Sequence, residues 1–196
     1  MAFEDRRERD RAARRRLIIT TARTLAEAEG WDAVTTRRLS TEIEYSQPVL
    51  YKHFTGMEQI AEAVAIDGFG ELADVIRAAR SRAGTASDAL TRIAHAYLDF
   101  ARDNPAVYDA MFTHATTLRF AAQDTPPQLA AAFAELRDAV GGVADEHDAD
   151  ALTEVFWAAL HGLVTLTRTG RLRPGYDSER LQLLVNEFTS RRETMH

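Results

Sequence analysis

Apolar residues recur at intervals of three and four along nearly the whole chain, and no stretch alternates at period two. The pattern predicts an all-α protein of about nine helices. From Arg14 to Glu29 one stripe is formed by Leu17, Ile18, Thr21, Ala22, Leu25 and Ala26, and Gly30, which accepts a left-handed backbone, stops it. Thr35 is suited to cap a second helix with Leu39 and Ile43 inward. Glu44-Tyr45 forms a turn, and Ser46 is suited to cap a third helix with Val49, Leu50 and Phe54 inward. Pro48 falls in that helix's first turn, where no intrahelical bond is lost. Leu17, Leu25, Leu39, Ile43, Val49, Leu50 and Phe54 are then the core of a three-helix domain over residues 1–55.

Residues 56–196 form a second helical domain. A fourth helix opens at Gly56-Met57-Glu58, and Gly68 and Gly70 interrupt it, marking close packing, a bend or a hinge. Thr85 and Asp88 form a capping box for the fifth helix, and Asn104-Pro105 starts a short sixth. Residues 114–127 read as a loop before a seventh helix with Leu129, Phe133, Leu136 and Val140. The eighth helix, from Ala151, is apolar over most of its circumference, as a helix covered on several sides is. Its Leu152, Val155, Phe156, Leu163 and Leu166, with Leu181, Leu184, Val185 and Phe188 of the ninth, offer more apolar face than one subunit covers. They predict a homodimer joined through a four-helix bundle.

Composition sharpens this picture. The chain has 196 residues, 45% of them hydrophobic, and no cysteine, so a zinc or disulfide framework built on cysteine is excluded. No apolar run reaches membrane-spanning length and no signal peptide precedes the charged start, so a cytoplasmic location and no membrane partner are expected. The net charge of −6 is uneven: residues 1–54 carry 11 Lys+Arg against 9 Asp+Glu, residues 55–196 carry 13 against 21. Phosphate contact is local, so the basic balance of the first segment counts for more than the total. Seven arginines (6, 7, 9, 11, 14, 15 and 16) stand among four acids in the first sixteen residues. They make either a solvated helix start or an arm for a phosphate backbone or minor groove.

Two short helices over Val34–Phe54 with a polar outer face, Gln47, Tyr51, Lys52 and His53, are a helix-turn-helix in outline. The segment from Arg14 to Ala63 resembles the DNA-binding domain of the tetracycline-repressor (TetR) family. The resemblance is carried by Ala22, Gly30, Val34-Thr35-Thr36, Leu39, Ile43, Ser46, Leu50-Tyr51-Lys52-His53-Phe54, Glu58 and Ile60. Two positions depart from the family pattern: Glu44 stands where a turn glycine is usual, and Met57 where a lysine often opens the fourth helix.

The resemblance implies a repressor that binds a pseudo-palindromic double-stranded operator as a dimer and is released by a small effector, which the aromatic, mostly uncharged candidate lining suggests is apolar or aromatic. Its DNA-binding residues are Thr35, Thr36, Arg37, Ser46, Gln47, Pro48, Val49, Tyr51, Lys52 and His53. The Trp157…His161-Gly162 cluster resembles one subgroup of the family's C-terminal domains. Candidate effector contacts are Phe69, His95, Tyr108, Met111, Phe112, Phe133, Trp157 and His161, with Phe120 beside them; the alternative for Trp157 and His161 is a place in the core, where a lone histidine on an apolar helix is more often found hydrogen-bonded. An activator of the same fold is one alternative. A small-molecule-binding or enzymatic helical domain with a vestigial helix-turn-helix is another. No P-loop, GxGxxG, GxSxG or HExxH occurs, the histidines have no metal-binding spacing, and the acids of residues 145–150 lack the spacing of a calcium loop. No catalytic residue, metal or cofactor is expected.

Overall fold

A computed structural model describes residues 2–115, 118–119, 122, 125–144 and 147–190. Phe120 and the acids Asp145 and Glu146 lie outside these described residues. Among the described residues there are nine α-helices and no strand. They are α1 (Ala2–Glu29), α2 (Thr36–Glu42), α3 (Gln47–Tyr51), α4 (Met57–Ser81), α5 (Ala86–Asp103), α6 (Pro105–Asp109), α7 (Pro127–Gly141), α8 (Ala149–Arg168) and α9 (Asp177–Thr189). A 3-10 turn, Trp31–Ala33, follows α1, and a π turn, Ala110–His114, continues α6.

Local chemistry accounts for several ends. Gly30 stops α1 at φ 84°, a backbone open to glycine at little cost. The Thr35 side chain accepts from Arg38 N at 3.1 Å and caps α2. The Thr85 hydroxyl accepts from Asp88 N, and the Asp88 carboxylate accepts in return from Gly84 N, one residue before the N-cap, both at 3.1 Å. Asp148 caps α8 by accepting from Ala151 N at 2.8 Å. Ser46 sits at the N-cap of α3 in extended conformation, but its hydroxyl makes no capping bond. That expectation is corrected, and α3 is also shorter than its apolar spacing suggests, since the helix ends at Tyr51.

The chain divides into two compact units, residues 1–68 with 104–125, and residues 69–103 with 126–196. The boundary expected after residue 55 falls inside the first of these. In the first unit, Ile18, Ala22, Leu25 and Ala26 of α1 are buried with Leu39, Ile43, Leu50 and Phe54. Leu17 is not part of this core: it stays 43% exposed because Ile18, one position on, takes the inward place of the helical stripe.

The same unit holds α6 against α1. The Glu27 carboxylate accepts from the backbone N–H groups of Ala106 and Val107, each at 3.1 Å. Trp31 Nε1 donates to the Ala106 carbonyl at 2.8 Å, and Arg23 donates to Asn104 Oδ1 at 2.9 Å. Gly68 of α4 completes the cluster, for a Cβ there would lie 2.4 Å from Val107 Cγ1 and 3.0 Å from Met111 Sδ. Close approach is thus the reason for Gly68. In the second unit α5 packs with α7, α8 and α9. Tyr97, Leu129, Phe156, Leu160 and Val185 are fully buried there, and the Phe156 and Phe188 rings meet edge to face at 5.1 Å.

Candidate functional site

Helix α3 has five residues, too few to persist alone, and it stands because Leu50 and, just beyond it, Phe54 are buried (1% and 2% exposed). The opposite face is open. Ser46, Gln47, Pro48, Tyr51 and Lys52 are exposed, Tyr51 to 52%. At α2, Arg37 is exposed and Thr36 half-buried. Thr35 is exposed, with its hydroxyl oxygen already accepting the capping bond. Arg38 is differently employed: it pairs with Glu29 at 2.8 Å and Glu42 at 3.1 Å, tying α2 to α1. Val49 is half-buried, so it offers only part of its side chain outward.

The turn between α2 and α3 depends on Glu44, whose φ of 55° makes it the one non-glycine with positive φ among the described residues. A side chain in this left-handed region costs about 1–2 kcal/mol. Glu44 therefore reaches the turn geometry of the usual glycine with its side chain in place. At the start of α4, the backbone N–H of Thr55 is taken up by Gln59 Oε1 at 2.9 Å, beside Met57.

Arg15 is a residue whose role the sequence pattern left among the arm's charges. Its guanidinium lies 4.1 Å from the centre of the Phe54 ring and donates to the His53 carbonyl at 3.1 Å, fastening α1 to the end of α3. Its spacing of three and seven residues from Ile18 and Ala22 puts it on the core stripe of α1, and that register was the available signal. His53 is half-buried, and its Nδ1 is buried without a hydrogen-bond partner. Its pKa is lowered, first by burial and then by the charges of Arg11, Arg14, Arg15 and Lys52.

The candidate effector residues divide between the units. Tyr108, Met111 and Phe112 lie on α6 and the π turn, in the unit that carries α3. Tyr108 and Met111 are buried, Phe112 is half-buried, and the Tyr108 and Phe112 rings are 4.6 Å apart. Phe69, His95, Phe133, Trp157 and His161 belong to the other unit. There Trp157 Nε1 donates to the Tyr97 hydroxyl at 3.1 Å, a partner the sequence did not single out. His161 lies 3.5 Å from Thr165 Oγ1, and burial lowers its pKa. His95 is exposed: Ile93, Ala94 and Tyr97 take the buried face of α5 and leave it outward.

The candidate dimer residues also separate. Phe156, Leu181 and Val185 are buried within their own unit, so they present no surface to a partner. Leu152, Leu163, Leu184 and Phe188 are half-buried, whereas Val155 and Leu166 are 59% and 38% exposed. Leu183 of α9, absent from the expected set, is 58% exposed. Apolar periodicity on helices this rich in leucine and valine does not say which flank faces inward. No helix among the described residues is long and apolar enough to cross a membrane.

Comparison with known proteins agrees with this geometry. The family described as "Bacterial regulatory proteins, tetR family" matches residues 18–64, and "Tetracyclin repressor-like, C-terminal domain" matches residues 90–187. The uncharacterised HTH-type transcriptional regulator Rv0681 of Mycobacterium tuberculosis is 32% identical over 163 residues, covering 80% of this chain and 71% of that protein. YobS of Bacillus subtilis, of the same description, is 33% identical over 96 residues, or 48% of this chain and 49% of its own length. A solved structure of a Rhodococcus sp. RHA1 protein of unknown function shares the fold, with a TM-score of 0.71, 24% identity, and coverage of 89% of this chain and 92% of that one. The chain belongs to the TetR family of helix-turn-helix, DNA-binding transcriptional regulators.

Proposed function

We propose that the protein is a homodimeric repressor that reads a pseudo-palindromic operator with two copies of α3 and is released by a small, apolar or aromatic effector. The observation that carries this reading is the open face of α3, where an amide, a phenol and an ammonium stand on a helix held from behind by Leu50 and Phe54. Gln47 and Pro48, with the exposed part of Val49, face base edges, and an amide recognises adenine through its N6 and N7. Arg37, Tyr51 and Lys52 take phosphates and set register, with Thr36 and the Ser46 hydroxyl beside them. His53 supports this face through its backbone, held by Arg15, and lends its ring edge to the phosphates.

Dimerisation brings together the exposed apolar flanks of α8 and α9, Val155, Leu166 and Leu183. A two-fold dimer places two readers on half-sites about one helical turn of DNA apart. The effector acts on Tyr108, Met111 and Phe112, because the segment that carries them is bound to α1 through Glu27, Arg23 and Trp31. Release requires the effector to prefer the conformation that does not bind DNA.

A salt titration of duplex binding tests the reading. Affinity is expected to fall steeply with salt, and Lys52→Ala to reduce the log–log slope by about 0.9, the value of one phosphate contact. Unchanged slope and affinity in both Lys52→Ala and Gln47→Ala variants would remove α3 from the interface.

A further inference from the structure

The stripe through which α1 packs does not end at the core. Ile18, Ala22, Leu25 and Ala26 are its buried part. Stepping back from Ile18 by three, four, seven and eleven residues on the same continuous helix gives Arg15, Arg14, Arg11 and Arg7. One helix face is therefore apolar in its C-terminal half and guanidinium in its N-terminal half. Arg15 closes the core against Phe54, and the other three run beyond it.

Arg7, Arg11 and Arg14 line a groove together with Lys52 and His53 at the end of α3. The charges that depress His53 include Arg11, Arg14 and Lys52, so the cations gather around that ring. Asp5, Glu8 and Asp10 share the lining. Outside the stripe, Arg9 Nε donates to the Asp5 carbonyl of the same helix at 3.1 Å. From Arg7 to Arg14 the helix rises about 10 Å, over which one strand of B-DNA presents about three phosphates at 3.4 Å of axis each.

We propose that Arg7, Arg11 and Arg14 form a second phosphate-binding surface, adjoining Lys52 of the α3 face, that grips the sugar–phosphate backbone of the duplex alongside the segment faced by α3. This rests on the reading of α3 as the DNA reader and adds to it a contact that carries affinity without sequence information. Guanidinium groups meet phosphate oxygens with paired N–H donors, which suits a stripe of arginines rather than lysines.

The test compares two charge-matched variants of the full chain, Arg7→Gln/Arg11→Gln/Arg14→Gln on the stripe and Arg6→Gln/Arg9→Gln/Arg16→Gln off it. Binding to a random-sequence duplex of about 30 base pairs is followed by fluorescence anisotropy from about 50 to 200 mM salt. At about 0.9 per phosphate, the stripe variant loses about 2.7 from the slope, so its affinity falls about 40-fold less than wild type over that range. The off-stripe variant keeps a slope within about 1 of wild type. Helicity at 222 nm checks that the arm remains folded, and the His53 ring pKa, read by NMR, rises when wild type binds the duplex. Equal slopes in all three proteins, equal losses in both variants, or an unmoved His53 overturn the proposal. Wild type that binds no duplex at low salt removes the reading of α3 itself; wild type that binds, with the stripe variant unaltered, removes only the second surface.

Discussion

The two glycines in α4 have the same helical setting and opposite surroundings, so the same substitution should act with opposite sign. Replacing a glycine inside a helix by alanine gains about 1 kcal/mol of helix propensity. At Gly70 an added Cβ meets Gln128 Cγ at 3.5 Å, an ordinary contact, and Gly70→Ala should raise stability by about 0.5–1 kcal/mol. At Gly68 it would lie 2.4 Å from Val107 Cγ1, more than 1 Å inside carbon–carbon contact. Val107 is fully buried and β-branched, hence stiff, whereas Met111 could yield. Overpacking of this kind costs about 1–3 kcal/mol. Net of propensity, Gly68→Ala should lower stability by about 1 kcal/mol, which separates the two variants by about 2 kcal/mol. Urea unfolding monitored by circular dichroism reads the difference as a shift in midpoint. Removing the obstructing methyls identifies the cause: Val107→Ala should cost about 1–2 kcal/mol less in the Gly68→Ala background than in wild type. Gly68→Ala as stable as Gly70→Ala, or no coupling to Val107, would refute close packing and return Gly68 to the role of a hinge.

Glu27→Ala removes two charge-assisted bonds and strands the N–H groups of Ala106 and Val107 partly buried, so it should cost about 2–3 kcal/mol in the same unfolding assay. Glu27→Gln should recover little, because one of its two contacts would place an NH2 against a donor. Glu44→Gly removes the left-handed penalty of about 1–2 kcal/mol and restores about 0.5–1 of unfolded-chain entropy, for a net gain of about 0.5–1; a loss of thermal stability would contradict this. Burial holds His161 below its usual pKa, so the unfolded chain takes up the proton first. That contribution is fully present above about pH 6.5 and is lost as pH falls through the lower folded value, and His161→Phe should reduce the stability lost between about pH 7.5 and 5.5. Identical losses in variant and wild type would contradict burial as the cause.

Much of this molecule was legible because its signals are local. Thr35, the Thr85–Asp88 box and Gly30 act on backbone groups within four residues, and a one-dimensional pattern contains such bonds whole. The three-helix core followed from spacing, except where two apolar neighbours competed for one inward place, as Leu17 and Ile18 do. Apolar spacing extends α3 to Phe54, whereas the helix proper ends at Tyr51 and Phe54 is held by a single further backbone bond, from its N–H to the Leu50 carbonyl at 3.0 Å. The attachment of α6 to α1 had no local signature: Glu27 meets backbone N–H groups 79 and 80 residues away, and any residue type there except proline would present the same donors. On α8 and α9 the apolar residues are too many for periodicity to select a side. Phe156, Leu181 and Val185 proved interior while Leu183, unselected, proved exposed.

In the function proposed here, two copies of α3, presented by a dimer, enter successive major grooves on one face of the duplex. Hydroxyl-radical footprinting on DNA upstream of the protein's own coding region measures this directly. Two protected patches are expected, with centres about 10 base pairs, or a multiple of that, apart, and both should be lost with Gln47→Ala/Tyr51→Ala in a protein still dimeric by sedimentation. Protection that survives the double substitution, or a single patch without two-fold spacing, would contradict it.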